Sequence, residues 1–381
     1  MPTSPMPRVL RATSLVAVAG LVITGCSQNK VDSAPPGAAK VAIELTDDGC
    51  RPTPAEVPAG PVTFEVKNNN ASKVSEAELM NNDVILGEKE NLSPGLSGTF
   101  SLRLNAGKYT VYCPNAATQK TDFTVTGAAA QASQDPAVKT ALDQAVTGYQ
   151  QYVIAEVDKL VPATKQFTDA IRAGDVERAK QGYAPARYYY EEVEPVAESF
   201  GDLDPAIDQR ADDVTDQSKW TGFHRLEKAL WEEKSVDGMA PVADQLDADV
   251  AKLKTLVATA AYQPAQLANG ATELLNEVAN RKITGEEDRY SHADLSDFDA
   301  NITGSKKAFD LLRPALSKLD PDLAESVAGK YADVLAALQP YKRDNGYVDY
   351  STVGDEQRKA LTQKVDALAE PLSQVSGKVN A

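Results

Sequence analysis

The stretch Phe100-Ser101-Leu102-Arg103-Leu104-Asn105-Ala106-Gly107-Lys108-Tyr109-Thr110-Val111-Tyr112-Cys113 decides the fold of the first part of the chain. Phe100, Leu102 and Leu104 alternate with polar residues. Asn105-Ala106-Gly107 is a turn, and Tyr109, Val111 and Cys113 alternate beyond it. A period of two puts the apolar set on one face of each strand, and an Asn/Gly turn between two such runs joins them. The pattern repeats upstream at Val41, Ile43 and Leu45, and at Val62, Phe64 and Val66 before Asn68-Asn69-Asn70. It closes at Phe123 and Val125. Short alternating runs with turn signals every eight to twelve residues predict a β-sandwich of about seven strands over 40–126.

Residues 127–134 are a small-residue linker, and the period changes beyond them. Val138, Leu142, Ala145 and Tyr149 recur at helical spacing, as do Leu246, Val250, Leu253 and Val257. Further helical runs are expected over about 266–283, 297–319, 322–338 and 355–375, several starting after an Asp or Ser that can cap them. Residues 135–381 therefore read as an all-helical domain of antiparallel bundles. A chain of 381 residues is too long for one ordinary core, in keeping with two domains.

The N-terminus reads as an export signal. Arg8 and Arg11 precede an apolar run at 15–23, which is too short to span a bilayer. The run ends in Ile23-Thr24-Gly25-Cys26, which resembles a bacterial lipobox. On that reading 1–26 is a lipoprotein signal, Cys26 is acylated and 27–39 is a tether to the outer face of the cell membrane. An ordinary secretory signal with a chance cysteine is the alternative. Cys50 and Cys113 then remain, in a compartment where disulfides persist. They form a disulfide or serve a metal.

The formal charge is −16, which disfavours nucleic acid and attracts cations. The only histidines are His224 and His292, both among carboxylates. His224 and Glu227 are spaced i, i+3, so a helix presents both on one face, as two ligands or as an ordinary surface pair. Glu191 and Glu194 share that spacing, and two carboxylates on one face repel unless a cation or proton lies between them. An acidic stretch ends at Asp208, and 285–294 is an acidic turn holding Glu286, Glu287 and His292. Carboxylates with an imidazole suit iron, zinc or manganese better than copper(I). In the β region, Glu76, Glu78, Glu88 and Glu90 form two alternating acid pairs, either a weak second cation site or solvent-facing strand residues. That region has no histidine, which excludes a type 1 copper site. The zinc motif H-x-x-E-H is incomplete because Lys228 follows Glu227. No P-loop, dinucleotide fingerprint or G-x-S-x-G elbow is present.

The run Thr221-Gly222-Phe223-His224-Arg225-Leu226-Glu227-Lys228-Ala229-Leu230 resembles that of EfeO-type proteins, the exported components of EfeUOB iron-uptake systems. So do residues 191–198, 202–210 and 284–292, and more weakly 76–78, 88–91 and 107–113. The resemblance runs from about residue 41 to the C-terminus. It implies a cupredoxin-like Greek-key sandwich followed by an imelysin-type helical domain. It also implies capture of iron outside the cytoplasm, delivery to a membrane permease and a haem peroxidase partner. The metal ligands it implies are His224 and Glu227, with Glu191, Glu194 and Asp208 nearby and Glu287 or Glu286 reaching in. His292 serves as a ligand or as an orienting group. Zinc and copper are the lesser metal candidates. The competing readings are an imelysin-type metallopeptidase using the H-x-x-E motif and a polysaccharide- or haem-binding module. In the uptake reading, separate helices aim an imidazole and several acids at one point, where a hard cation cancels their repulsion.

Overall fold

The computed structural model describes residues 1, 37–82, 84–128, 135–344 and 346–380. The expected leader, the expected lipobox with Cys26 and most of the expected tether and linker lie outside the described residues.

Among the described residues, nine strands build the first domain: β1 (Ala39–Thr46), β2 (Gly49–Thr53), β3 (Glu56–Pro58), β4 (Gly60–Asn68), β5 (Ala77–Asn81), β6 (Val84–Lys89), β7 (Ser97–Leu104), β8 (Gly107–Tyr112) and β9 (Lys120–Thr126). One sheet has the order β2-β1-β4-β7 and the other β3-β9-β8-β5-β6. β1 runs parallel to β4, and β3 parallel to β9. The quoted hairpin is β7–β8, but its strands belong to different sheets, so the turn crosses the sandwich. More strands form than the alternation marks. β2 and β3 are edge strands of five and three residues, each with a proline, which edges tolerate. The alternating residues do fill the space between the sheets. Phe64 and Phe100, direct cross-strand partners, stack at 4.8 Å. Cys50 and Cys113 are joined as a disulfide, with Cα atoms 6.2 Å apart.

Helices build most of the rest: α1 (Pro136–Arg172), α2 (Val176–Glu191), α3 (Leu203–Asp208), α4 (Gly222–Lys228), α5 (Ala240–Val257), α6 (Pro264–Asn280), α7 (Asp294–Leu319), α8 (Pro321–Leu338) and α9 (Asp355–Val379), with one small antiparallel ribbon pairing Lys342–Arg343 with Gly346–Tyr347. The four late helices lie within about four residues of their expected limits. Asp135, Asp175 and Asp320 accept backbone amides at the starts of α1, α2 and α8, as N-caps do. The heptad-like apolar positions, such as Tyr149, Val153 and Val157 on α1, are wholly buried. Among the described residues, no helix is long and apolar enough to cross a membrane.

The sandwich meets the bundle through β6, β7 and α6. Asn269 Nδ2 donates to the Ser101 carbonyl at 2.9 Å, and Lys89 forms an ion pair with Glu273. Glu78, Glu88 and Glu90 therefore stand in a seam rather than on an open strand face, and Glu78 is only 7% exposed.

Candidate metal centre

Five segments deliver the site: the end of α2, the end of α3, α4, the turn 282–292 and the start of α7. Gly222 fixes the approach of α3 to α4. Its φ is +83°, and a Cβ there would strike the Ile207 carbonyl. Only glycine combines that backbone with that contact. Asp208 thus ends one helix beside the start of the helix that carries His224.

His224 is 1% exposed. Its Nδ1 lies 3.1 Å from Glu227 Oε2 and 3.3 Å from the Tyr183 hydroxyl. Glu227 Oε1 accepts the backbone amides of Tyr290 at 2.9 Å and Ser291 at 2.7 Å. Both oxygens of Glu227 are thus engaged, and its carboxylate holds the ring. The other nitrogen, Nε2, has no hydrogen-bond partner. It lies 3.6 Å from Asp208 Oδ1 and 3.5 Å from Glu287 Oε1. One ligand atom each from Asp208, His224 and Glu287 can lie within 4.8 Å of one another.

Two other buried groupings are already filled. His224, Glu227 and Asp288 come together on the Nδ1 side, where Tyr183 donates to Asp288 at 2.8 Å and Glu227 is used as described. Glu191, Glu287 and Asp297 surround the Arg187 guanidinium, which pairs with all three. Arg187 has no exposure and also contacts Asp208. Lys282, equally buried, pairs with Glu191 at 3.0 Å and Glu194 at 2.7 Å. The protein's own cations therefore already relieve much of the repulsion that the sequence leaves to a metal.

The electrostatics follow. Burial raises the Glu191 carboxyl, but Arg187 and Lys282 outweigh it and hold it down to about 2. Burial likewise opposes the Glu287 carboxylate, yet Lys282, Arg210, His224 and Arg187 keep it well below the usual range. Burial lifts Asp208 against the pull of Arg187 and His224. Burial and Arg187 push His224 down, and Asp208, Glu227 and Glu287 reverse this, leaving it raised to about 9.

The remaining expected residues fall differently. Glu194 faces Lys282, and burial with the charge of Glu191 pushes its carboxyl well up. Glu286 turns away from the centre to pair with Arg281 at 3.0 Å. His292 adopts φ +58° and serves the fold through its backbone, its amide donating to the Asp288 carbonyl at 2.8 Å. It joins none of the ligand groupings among the described residues. Glu227 is the residue whose carboxylate contacts the His224 ring. The residues the sequence reading missed are Arg187, Lys282, Arg210, Tyr183, Asp288 and Asp297. One signal was available: Arg187 lies four residues before Glu191, the spacing of a helical ion pair.

Asp208 and Glu287 line a cleft of about 210 Å³ that runs along the seam between the domains. Glu88, Glu90, Glu194, Glu198, Asp204, Glu273 and Glu277 also line it, with Arg210 and Arg281. Burial and neighbouring acids lift Glu90 and Glu198 well above the ordinary carboxyl range, and Asp204 rises to about 7, chiefly from burial.

Fold and site together define a two-domain protein, a cupredoxin-like sandwich followed by an imelysin helical domain. The imelysin family model, which also carries a peptidase M75 label, matches residues 145–375, and a cupredoxin-like domain model matches 15–125. The iron uptake system component EfeO of Escherichia coli O6:K15:H31 (strain 536) is 42% identical over 366 residues, covering 95% of this chain and 96% of that protein. The proteins of that name from Escherichia coli K12 and Shigella flexneri are each 42% identical over 342 residues, covering 89% of this chain and 91% of theirs. A crystal structure of a putative iron-regulated protein A precursor from Parabacteroides distasonis superposes with a TM-score of 0.50 at 16% identity. It covers 62% of this chain and 95% of the other, a likeness of fold alone. The chain belongs to the EfeO family of iron uptake system components.

Proposed function

We propose that this protein is an extracytoplasmic iron carrier, anchored to the outer face of the cell membrane through a lipid on Cys26. It captures iron at Asp208, His224 and Glu287 and passes it to a membrane permease, with a haem peroxidase as the further partner. The observation that carries the reading is His224 Nε2, a buried nitrogen with no hydrogen-bond partner facing two carboxylates that line the acidic cleft. One imidazole nitrogen with carboxylate oxygens is a donor set that suits iron, with zinc and manganese next. Copper is disfavoured, because the disulfide occupies both sandwich cysteines. Glu227 fixes the ring and its tautomer from behind, as outer groups do for metal-bound histidines. Glu191 and Glu194 stay with Arg187 and Lys282 and hold the cluster together before iron arrives.

A peptidase reading would ask Glu227 to act as general base on a metal-bound water. Its oxygens already accept the imidazole and two backbone amides, so it is poorly free for that task. The test is calorimetric titration of the metal-free protein with ferrous ion under anaerobic conditions. His224→Ala and Asp208→Asn are each expected to weaken binding at least tenfold. Unchanged affinity in both would overturn the carrier reading. Peptide cleavage by zinc-loaded protein, abolished by Glu227→Gln, would replace it with the enzyme.

A further inference from the structure

Residues 209–220 connect the end of α3, where Asp208 stands, to the start of α4, which carries His224. The segment is closed at its base. Trp220 Nε1 donates to the Gln209 carbonyl at 2.8 Å, and Thr221 Oγ1 donates to the Ala206 carbonyl at 2.9 Å. A surface loop whose ends meet in this way is an Ω-loop. Its one regular element is the 3-10 turn Gln217–Lys219, and its only buried residue is Trp220. Little apolar packing holds it down.

Charge does so instead. Arg289 Nη1 donates to Asp212 Oδ1 at 2.8 Å, and Arg281 Nη2 donates to the two oxygens of Asp213 at 3.1 and 3.2 Å. These arginines stand on either side of Glu287 in the chain, so adjacent aspartates of the loop grip the turn that carries a proposed donor. Arg210 adds a tie from the start of the loop. Its Nη1 donates to Glu277 at 2.7 Å and to Glu287 Oε2 at 3.0 Å, and its Nε donates to Asp213 at 3.4 Å. Gln209, Arg210 and Asp213 line the cleft together with Arg281, Asp208 and Glu287. The loop is thus one wall of the passage to His224. We propose that residues 209–220 are a gate over the His224 centre, clasped by Asp212–Arg289 and Asp213–Arg281, and that the opening of these two pairs sets the rate at which a cation enters and leaves. The gate rests on the reading of Asp208, His224 and Glu287 as the capture site.

The strengths of the contacts favour opening at the rim over disruption of the centre. The side chains of Arg289 and Asp212 are 38% and 53% exposed, and those of Arg281 and Asp213 are 31% and 40% exposed. Ion pairs so open to water are individually weak and are screened by salt. Segments with few buried contacts open locally at small cost, and loops that close over a site commonly limit exchange with solvent. Inside, Arg187 and Lys282 hold Glu191, Glu194 and Glu287 with no exposure of either cation. The rim therefore yields while the donors keep their places. Some such movement is called for, because His224 is 1% and Glu287 2% exposed in the closed arrangement.

The test is stopped-flow transfer of ferrous ion from the loaded protein to an excess of a ferrous chelator, without oxygen, with affinity measured separately by calorimetry. Arg281→Gln/Arg289→Gln is expected to release the ion about fivefold faster. It should load correspondingly faster, so that affinity changes by less than threefold. Release from wild type should quicken between about 20 mM and about 500 mM salt, and the double variant should lose most of that dependence. Charge reversal supplies the rescue: Asp212→Arg should speed release, and Asp212→Arg/Arg289→Asp should return it towards the wild-type rate. Release within twofold of wild type in both Arg281→Gln/Arg289→Gln and Asp212→Arg overturns the gate. Faster release matched by an equal loss of affinity also overturns it, because that pattern is damage to the donors. A wild type that takes up no ferrous ion fails the carrier reading and the gate with it, whereas normal uptake with unaltered kinetics in the variants removes the gate alone.

Discussion

Arg187 Nε donates to Asp297 Oδ2 at 3.0 Å, joining α2 to α7 through an arginine that has no exposure to water. The same guanidinium serves Glu191, Asp208 and Glu287. Replacing it by an apolar side chain strands those acids in the interior. Breaking a buried pair from one side costs about 3–5 kcal/mol. Arg187→Met is therefore expected to lose about that much stability, read from the urea midpoint of the helical signal in metal-free protein. A loss below about 1 kcal/mol would assign the charge balance to Lys282 and Arg210 instead.

The role of Glu227 separates from that of His224 in binding measurements. Removing a group that only orients a metal-bound histidine weakens the metal by about 10–100-fold. Glu227→Ala is expected within that range. His224→Ala, which removes the proposed donor nitrogen, is expected to weaken iron further still. Equal losses in the two variants would make Glu227 a ligand.

Glu192 gives the pH dependence of stability a handle away from Asp208, His224 and Glu287. Burial, together with the charge of Glu156, raises its carboxyl to about 8, against weaker opposing pulls from Lys159 and Tyr152. The folded protein thus binds a proton there that the unfolded chain, titrating near 4.5, gives up. The associated stability is fully present below pH 4.5 and is lost as pH rises through 8. Glu192→Gln is expected to raise the melting temperature at pH 8 relative to wild type and to change it little at pH 4.5. A difference between the two proteins that does not vary with pH would refute the assignment.

The Cys50–Cys113 bond closes a loop across most of the sandwich, with a separation of 63 residues. In the chain-entropy model a loop of that length stabilises the fold by about 4 kcal/mol. Cys50→Ser/Cys113→Ser is expected to lower the unfolding midpoint of the sandwich, followed by strand-sensitive circular dichroism. The His224 centre lies in the other domain, so its ferrous affinity should change by less than about threefold.

Much of the architecture is legible in the sequence because burial imposes a period. Phe64 and Phe100 alternate because sheets have two faces, and Tyr149 and Val153 recur because helices pack on one stripe. The edge strands β2 and β3 escape such a reading, being short and held by pairing rather than by an apolar face. Within the site, the His224–Glu227 spacing signals that the two side chains meet. It does not signal which of them faces Asp208 and Glu287. That is set by the amides of Tyr290 and Ser291, over sixty residues away. The burial of Arg187 and Lys282 is hidden from the sequence for a related reason. Basic residues on helices are common at surfaces, and nothing local announces that these two are enclosed. The acids of β6 looked solvent-facing because strand alternation reports a face and not what covers it.

The bond from Asn269 to Ser101 and the Lys89–Glu273 pair hold the sandwich against α6, so the basin of carboxylates is walled from both sides of a single seam. Severing the chain at its linker would not yield two self-sufficient modules. Each half would carry part of the rim, and an ion that now meets a continuous lining would meet open water on one flank.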